Sequence, residues 1–326
     1  MIPYSEADAP FFFGREKETR LIIANLFASP LTLLYGASGV GKSSVLRAGV
    51  AHQLRERDDL LVVVFNDWQT NPVSELKQAI ADWSDLADPD SWRNAVQLLP
   101  QDRSESLAEF LAICSAHLNR RLMIILDQFE EYFLYHPQDD TFAAEFPRAV
   151  KQLDAPVSFL ISIREDFYAK LDRFEGRIPI LYDNYLRIEH LDHNAARAAI
   201  EKPIAEYNRV AVNGKQFSIE PGLVESILKQ VETGRVVLGE AGRGVVEAAK
   251  LSEKTKARIE TPFLQLVMTR LWDEELRAGS QRLAGFLLFV APLVFDIIPM
   301  CLRRAPACNA TCLGSGLSAC TSPRAH

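Results

Sequence analysis

Residues 31–50 read LTLLYGASGVGKSSVLRAGV, and this stretch decides the fold. Leu31–Tyr35 is a short apolar run of the kind that forms a buried strand. Gly36-Ala37-Ser38-Gly39-Val40-Gly41-Lys42-Ser43-Ser44 interrupts it, and Val45, Leu46, Gly49 and Val50 then share one side of a helical pattern. Strand, glycine loop and helix are the frame in which G-x-x-x-x-G-K-S/T holds a phosphate. Gly36, Gly39 and Gly41 free the backbone for positive φ and close approach to an anion. Successive N–H groups then form a concave nest, and the following helix aims its positive end at the same charge. Lys42 is placed for the β- and γ-phosphates and the Ser43 hydroxyl for Mg²⁺. Ser44 is assigned to the α-phosphate side. The bland reading, a chance glycine turn before a helix, leaves the fixed positions and both flanks unexplained.

The chain has 326 residues, 48% hydrophobic and 24% charged, with a formal net charge of −7. That length is enough for about two domains, and the composition is that of an ordinary globular protein. The acidic balance argues against a general nucleic-acid binder, which carries a basic footprint. The opening MIPYSEADAP lacks a basic segment followed by an apolar one, so no signal peptide is read and a cytoplasmic location is expected. Cys114 is the one cysteine before residue 301; Cys301, Cys308, Cys312 and Cys320 crowd the end. A body with one thiol fits a reducing compartment.

Outward from the glycine loop, residues 1–10 read as an irregular lead-in. Phe11-Phe12-Phe13-Gly14-Arg15-Glu16 follows, then an amphipathic helix to about Phe27. The three phenylalanines read either as a hydrophobic plug or as neighbours of a nucleotide base. Leu60–Phe65 is a second buried strand. Trp68–Leu99 is helical but broken, with Pro72, Pro89 and Pro100 as breakers, and Ser104–Leu118 is a helix with Cys114 on its apolar stripe. In Arg121–Tyr135, RLMIILDQFEEYFLY, an apolar strand ends at Asp127, which reads as a Walker B carboxylate holding the Mg²⁺ shell beside Ser43. Glu130 and Glu131 follow within a turn. Either one can deprotonate an attacking water, or both can serve as acids at a helix start, where the dipole favours them. Val157–Ile163 is another buried strand with Arg164 at its end. Ligands of open α/β sheets sit beyond the carboxyl ends of strands, so Arg164 reads as a γ-phosphate sensor, with an ion pair to Glu165 or Asp166 as the alternative. Tyr185–Ile188 is a last candidate strand. His190 and His193 have H-x-x-H spacing, but without a third ligand they read as surface residues.

Beyond Leu191 the strand signal fades. Helices are expected over Ala195–Tyr207, Gly222–Val231 and Pro262–Arg277, with a glycine-rich hairpin or loop over Gly234–Gly244. From Leu283 to His326 only Asp296, Arg303, Arg304 and Arg324 are charged. The apolar run Leu283–Phe295 contains Pro292 and is too short for a membrane span, which takes about 20 residues. This tail reads as unrelated to the folded body, and a chain ending near Arg282 is expected to keep binding and stability. No membrane contact through it is expected. The fold class is thus α/β, a P-loop NTPase with a central parallel sheet flanked by helices, a small helical lid domain and an irregular tail. The domain boundaries are 1–190, 191–282 and 283–326.

FFFGRE (11–16), GASGVGKSSVLRAGV (36–50), LMIILDQFEEYF (122–133), FLISIRED (159–166) and PFLQLVMTRLW (262–272) together resemble the novel STAND family, signal-transduction ATPases with numerous domains that are related to AAA+ proteins. The resemblance spans roughly residues 10–277. It implies an ATP/ADP-binding switch with Mg²⁺. Phe13, Gly14 and Arg15 would lie on the adenine side, Pro262 would be a lid contact near the base, and Glu130 or Glu131 the hydrolytic acid. Gln128 stands where many AAA+ proteins carry glutamate, so the implied hydrolysis is slow. The resemblance also implies self-association in the ATP state and an effector and a repeat sensor domain, neither of which this sequence carries. Two other readings stand beside the switch. One is an AAA+-like DNA-associated ATPase or loader, which would want a basic winged helix after the lid. The other is a small-molecule phosphotransferase.

Overall fold

Four apolar runs and the short segment Tyr185–Arg187 become the five strands of one sheet in the computed structural model, which describes residues 2–87, 105–138, 141–152, 156–210, 216–232, 258–279 and 282–283. The strands are β1 (Leu31–Gly36), β2 (Leu60–Phe65), β3 (Arg121–Leu126), β4 (Val157–Arg164) and β5 (Tyr185–Arg187), in the order β2-β3-β4-β1-β5. Every pairing is parallel. β1–β4 are apolar almost without alternation because helices cover both faces of a parallel sheet. One layer holds α1 (Glu16–Ala28) and α2, which runs Lys42–Ser44, then through a π-helical stretch Val45–Ala51, then His52–Arg55. The other holds α3 (Pro72–Ala87), α4 (Leu107–Leu118), α5 (Glu130–Tyr135) and α6 (Thr141–Lys151), packed on Leu33, Val63, Ile124, Phe159 and Ile161. Cys114 is buried in that layer, as its place on the apolar stripe of α4 requires.

The strand order gathers the ends of three strands. β4 lies between β1 and β3, and Gly36 is paired in register with Arg164. The chain thus leaves the sheet at three neighbouring points, after Gly36, Leu126 and Arg164, all at the same edge of the strands.

A separate apolar cluster forms beyond Leu191. It is built from α7 (His193–Val210), α8 (Pro221–Gln230) and α9 (Thr261–Ala278) around Ile200, Val224, Ile227, Ile259 and Leu271. Pro203 lies inside α7. Two short strands that carry no legible alternation close this cluster: β6 (Ser218–Ile219) pairs in parallel with β7 (Arg282–Leu283). Leu283 is only 1% exposed. A cut after Arg282 would therefore remove a core side chain, so the cut near Arg282 belongs after Leu283. Leu283→Ala is expected to cost about 2–4 kcal/mol, the range for truncating a buried leucine, read as a shift of the urea midpoint with unchanged slope. The expected loop over Gly234–Gly244, the breaks at Pro89 and Pro100 and the tail beyond Leu283 lie outside the described residues. No helix among the described residues is long and apolar enough to cross a membrane.

Candidate functional site

The three exits from the sheet open into one cavity of about 440 Å³. Its floor is the glycine loop: Ser38, Gly39, Val40, Gly41, Lys42, Ser43 and Ser44 all line it. Gly39 and Gly41 have φ of 79° and 92°, the left-handed region that side-chain-bearing residues rarely adopt. Gly36 and Ala37 lie beside the cavity and shape it through their carbonyls, which accept from Lys42 Nζ at 2.9 and 3.1 Å. Burial pulls the Lys42 ammonium below its ordinary range, and the nearby Glu130 and Asp127 carboxylates push the other way. Gly36 has a second constraint. A Cβ there would lie 2.3 Å from the Ile188 carbonyl oxygen, a backbone atom that cannot swing aside. Gly36→Ala is expected to destabilise the fold by about 1–3 kcal/mol, the cost of overpacking, measurable by chemical denaturation.

Asp127 sits one residue past β3 and is 1% exposed. Its Oδ1 accepts the Gln128 N–H at 3.0 Å, while Oδ2 is buried without a hydrogen-bond partner. A buried carboxylate oxygen left in this way is costly unless a cation completes it, so the donor set of Asp127 and the Ser43 hydroxyl fits a hard divalent ion. Three bonds hold the turn in place. Trp68 Nε1 donates to the Asp127 carbonyl at 2.8 Å, the Asp127 N–H donates to the Phe65 carbonyl at 2.8 Å, and the Phe129 N–H donates to the Ser162 carbonyl at 2.9 Å. Between them Gln128 is forced to φ 54°.

The two glutamates, equivalent in sequence, are not equivalent in space. Glu130 lines the cavity and is 9% exposed. Its Oε2 accepts the Arg164 N–H at 3.1 Å. Burial raises its carboxyl above the ordinary range, opposed by hydrogen bonds from backbone N–H groups and by the Lys42 charge. Glu131 does not line the cavity. Its carboxyl is also raised, first by partial burial and then by repulsion from Glu130, Asp127 and Asp67. Arg164 borders the cavity, and its guanidinium forms a bidentate pair with Asp166, at 3.0 and 2.6 Å.

The far wall comes from both ends of the described chain. Phe11, Phe12 and Phe13 line it, and Phe12 also packs on the core under α2, as the plug reading expects of it. Arg15 borders the cavity but acts as a clamp. It is 4% exposed, and its guanidinium donates to the Val40 carbonyl at 2.8 Å, the Glu189 carbonyl at 2.8 Å and Glu18 at 2.9 Å. Gly14, at φ 87°, is a packing position: a Cβ would meet the Ala195 carbonyl at 2.4 Å. From α9, Thr261 and Pro262 reach the loop, and a Cβ on Gly39 would lie 2.7 Å from Pro262 Cγ. Sequence reasoning missed Ile2, Pro3, Tyr4 and Gln265, which complete this wall. His190 and His193 belong to no metal-holding cluster among the described residues.

Three solved structures share the architecture at low identity. The Walker-type ATPase PABY2304 of Pyrococcus abyssi is 17% identical, with a TM-score of 0.50 over 94% of this chain and 79% of that one. The ORC2 protein of Aeropyrum pernix, solved as ADPNP–ADP complexes, is 12% identical, with a TM-score of 0.52 over 88% and 67%. Cdc6p from Pyrobaculum aerophilum is 14% identical, with a TM-score of 0.50 over 83% of this chain, which spans 64% of that protein's length. These likenesses concern the fold. No curated protein matches the chain. The profile described as Novel STAND NTPase 1 matches residues 1–286. With a parallel sheet, a glycine-loop cavity and that match over most of its length, the chain is a P-loop NTPase and belongs to the Novel STAND NTPase 1 family.

Proposed function

We propose that this protein binds ATP with Mg²⁺ and works as a nucleotide-controlled conformational switch with slow hydrolysis. The observation that carries this reading is the seat of Pro262, at the start of α9, directly on Gly39 of the glycine loop. A phosphate held by the loop and the position of the helical unit then cannot vary independently. Residues 1–190 serve as the nucleotide-binding unit, and the helical unit from residue 191 through Leu283 serves as the lid.

In this reading Lys42 holds the β- and γ-phosphates, its ammonium passing from the Gly36 and Ala37 carbonyls to the stronger anion. Ser43 and Asp127 would hold Mg²⁺, which when bound neutralises phosphate charge as the γ-phosphoryl leaves. Glu130 takes the proton of the attacking water, and its raised carboxyl suits a base working near neutral pH. Glu131 plays no direct part. Arg164 reads the γ-phosphate by leaving Asp166; that pair is half exposed, where ion pairs contribute little. The ATP-bound form is expected to self-associate, the ADP-bound form to stay apart.

The deciding experiment is to denature the purified protein and identify the released nucleotide, then compare particle mass by light scattering in ATP and ADP. Retained ADP and a larger ATP form support the switch. Rapid exchange with no change in mass in either nucleotide sinks it. Binding to DNA that weakens steeply with salt would place the chain instead among DNA-associated ATPases.

A further inference from the structure

Helix α9 turns Thr261, Gln265, Met268 and Thr269 toward the cavity, the helical spacing of a single face. The adjoining side, at Leu264, Val267 and Leu271, packs into the lid core, with Leu264 also bordering the cavity. Gln265 is the one residue of the inward face with a side-chain amide. That amide is tied to the far end of the chain: Gln265 Nε2 donates to the Ile2 carbonyl at 3.2 Å. Ile2 is held in turn, because two residues on the Tyr4 N–H donates to Ser44 Oγ at 3.1 Å. The Tyr4 ring rests against Phe12, with centroids 5.4 Å apart. Residues 2–4 thus form a strap fixed on one side to the helix after the glycine loop and on the other to the lid. Tyr4, Phe12, Pro262 and Met268 surround the space with apolar surface. A flat heterocycle fits such walls, and polar readout falls to whatever donor or acceptor stands among them.

We propose that Gln265 is the residue that selects adenine, and that the strap sets the sense in which it reads. The inference rests on the proposed occupation of this cavity by a nucleotide. A primary amide has two N–H groups and one acceptor oxygen. With one N–H held by the Ile2 carbonyl, Gln265 offers its other N–H and its Oε1 side by side. Adenine presents a 6-amino donor next to a ring-nitrogen acceptor, and an amide meets that edge with two hydrogen bonds. Guanine and hypoxanthine carry an oxygen at position 6. Meeting their oxygen and N1–H requires the amide to turn over. Turning it over removes Nε2 from Ile2 and sets two carbonyl oxygens face to face. Discrimination at position 6 then comes from the tether as much as from the amide.

The test is competition of ATP and inosine triphosphate against a fluorescent ADP analogue, using the full chain. The two nucleotides differ at position 6 and the neighbouring N1 proton and lack the 2-amino group of guanine. The parent is expected to prefer ATP by about 10- to 100-fold, the scale of one bidentate base contact. Gln265→Leu should bring the ratio close to one by weakening ATP about tenfold or more while inosine triphosphate changes little. Deleting residues 2 and 3 should also lower the ratio, now through a gain for inosine triphosphate, because the freed amide can turn. Gln265→Leu with the parental ratio overturns the proposal, as does a parent that binds both nucleotides alike. If the leucine variant does not fold, the deletion decides alone: a ratio unchanged from the parent overturns the tether. A parent that binds neither triphosphate overturns the nucleotide site itself, a result distinct from binding without preference.

Discussion

Lys42→Ala is expected to weaken ATP binding by about 2–4 kcal/mol, the scale of a lost buried charge-assisted contact, or about 30- to 1,000-fold in Kd. The lysine is partly buried, and its ammonium lies among the Gly36 and Ala37 carbonyls and the fields of Glu130 and Asp127. Those groups arrange a cation for an anion still to come, and alanine leaves them without one. The fold should survive, because the lysine ties only local loop carbonyls and its removal opens no core. Titration calorimetry on a variant with the parental melting temperature decides the matter. An ATP affinity equal to the parent's would remove Lys42 from the phosphate site.

Glu130→Gln is expected to slow hydrolysis by about 10²-fold or more, the usual contribution of a positioned general base, while ATP still binds. Glu131→Gln should change the rate by less than about threefold, since Glu131 stands outside the cavity; a base absent from the site adds nothing to the transition state. Single-turnover measurement on both variants separates them, and a larger defect in Glu131→Gln would reverse the assignment. The pH profile gives a second reading. Burial raises the Glu130 carboxyl, so the acid limb of the parent's rate should lie above the ordinary carboxylate range and vanish in the glutamine variant. Stability should move the opposite way from activity. With its folded value raised, Glu130 stabilises the fold in its protonated form at acid pH, and that contribution is lost as pH rises through the raised value. At neutral pH the desolvated carboxylate weighs against folding. Glutamine relieves this, so the variant should melt above the parent at pH 7, with the gap closing as pH falls.

The sheet was legible because each of its long strands is a closed apolar run ending in residues of another kind. Leu31–Gly36 and Leu122–Leu126 needed nothing beyond local pattern, and their ends located Lys42 and Asp127. Sequence could not separate Glu130 from Glu131. The two are neighbours, and only the start of α5 packed beside Arg164 turns one toward the cavity and the other away. The backbone partners of Arg15 were not legible for a different reason. Its partners, Val40 and Glu189, are 25 and 174 positions away, and no periodicity connects them. The strap read as an irregular lead-in on the same grounds, because Ile2 and Gln265 are separated by 263 positions. Two-residue strands such as β6 and β7 are too short to show alternation at all. Local apolar pattern thus reported what each segment buries against the sheet, and it was silent where a polar side chain reaches across the chain for a backbone atom.

Helix α9, 18 residues long, is a rod of about 27 Å with one end resting on Gly39. In the proposed switch it is a lever whose fulcrum is the glycine loop. A tilt of about 10° at Pro262 sweeps the other end of such a rod through roughly 5 Å, far more than any atom of the loop need move. That far end adjoins β7. On that proposal, a shift of one phosphate group at the fulcrum would be magnified to the size of a side chain at the far end, for a second protein to sense without touching the nucleotide.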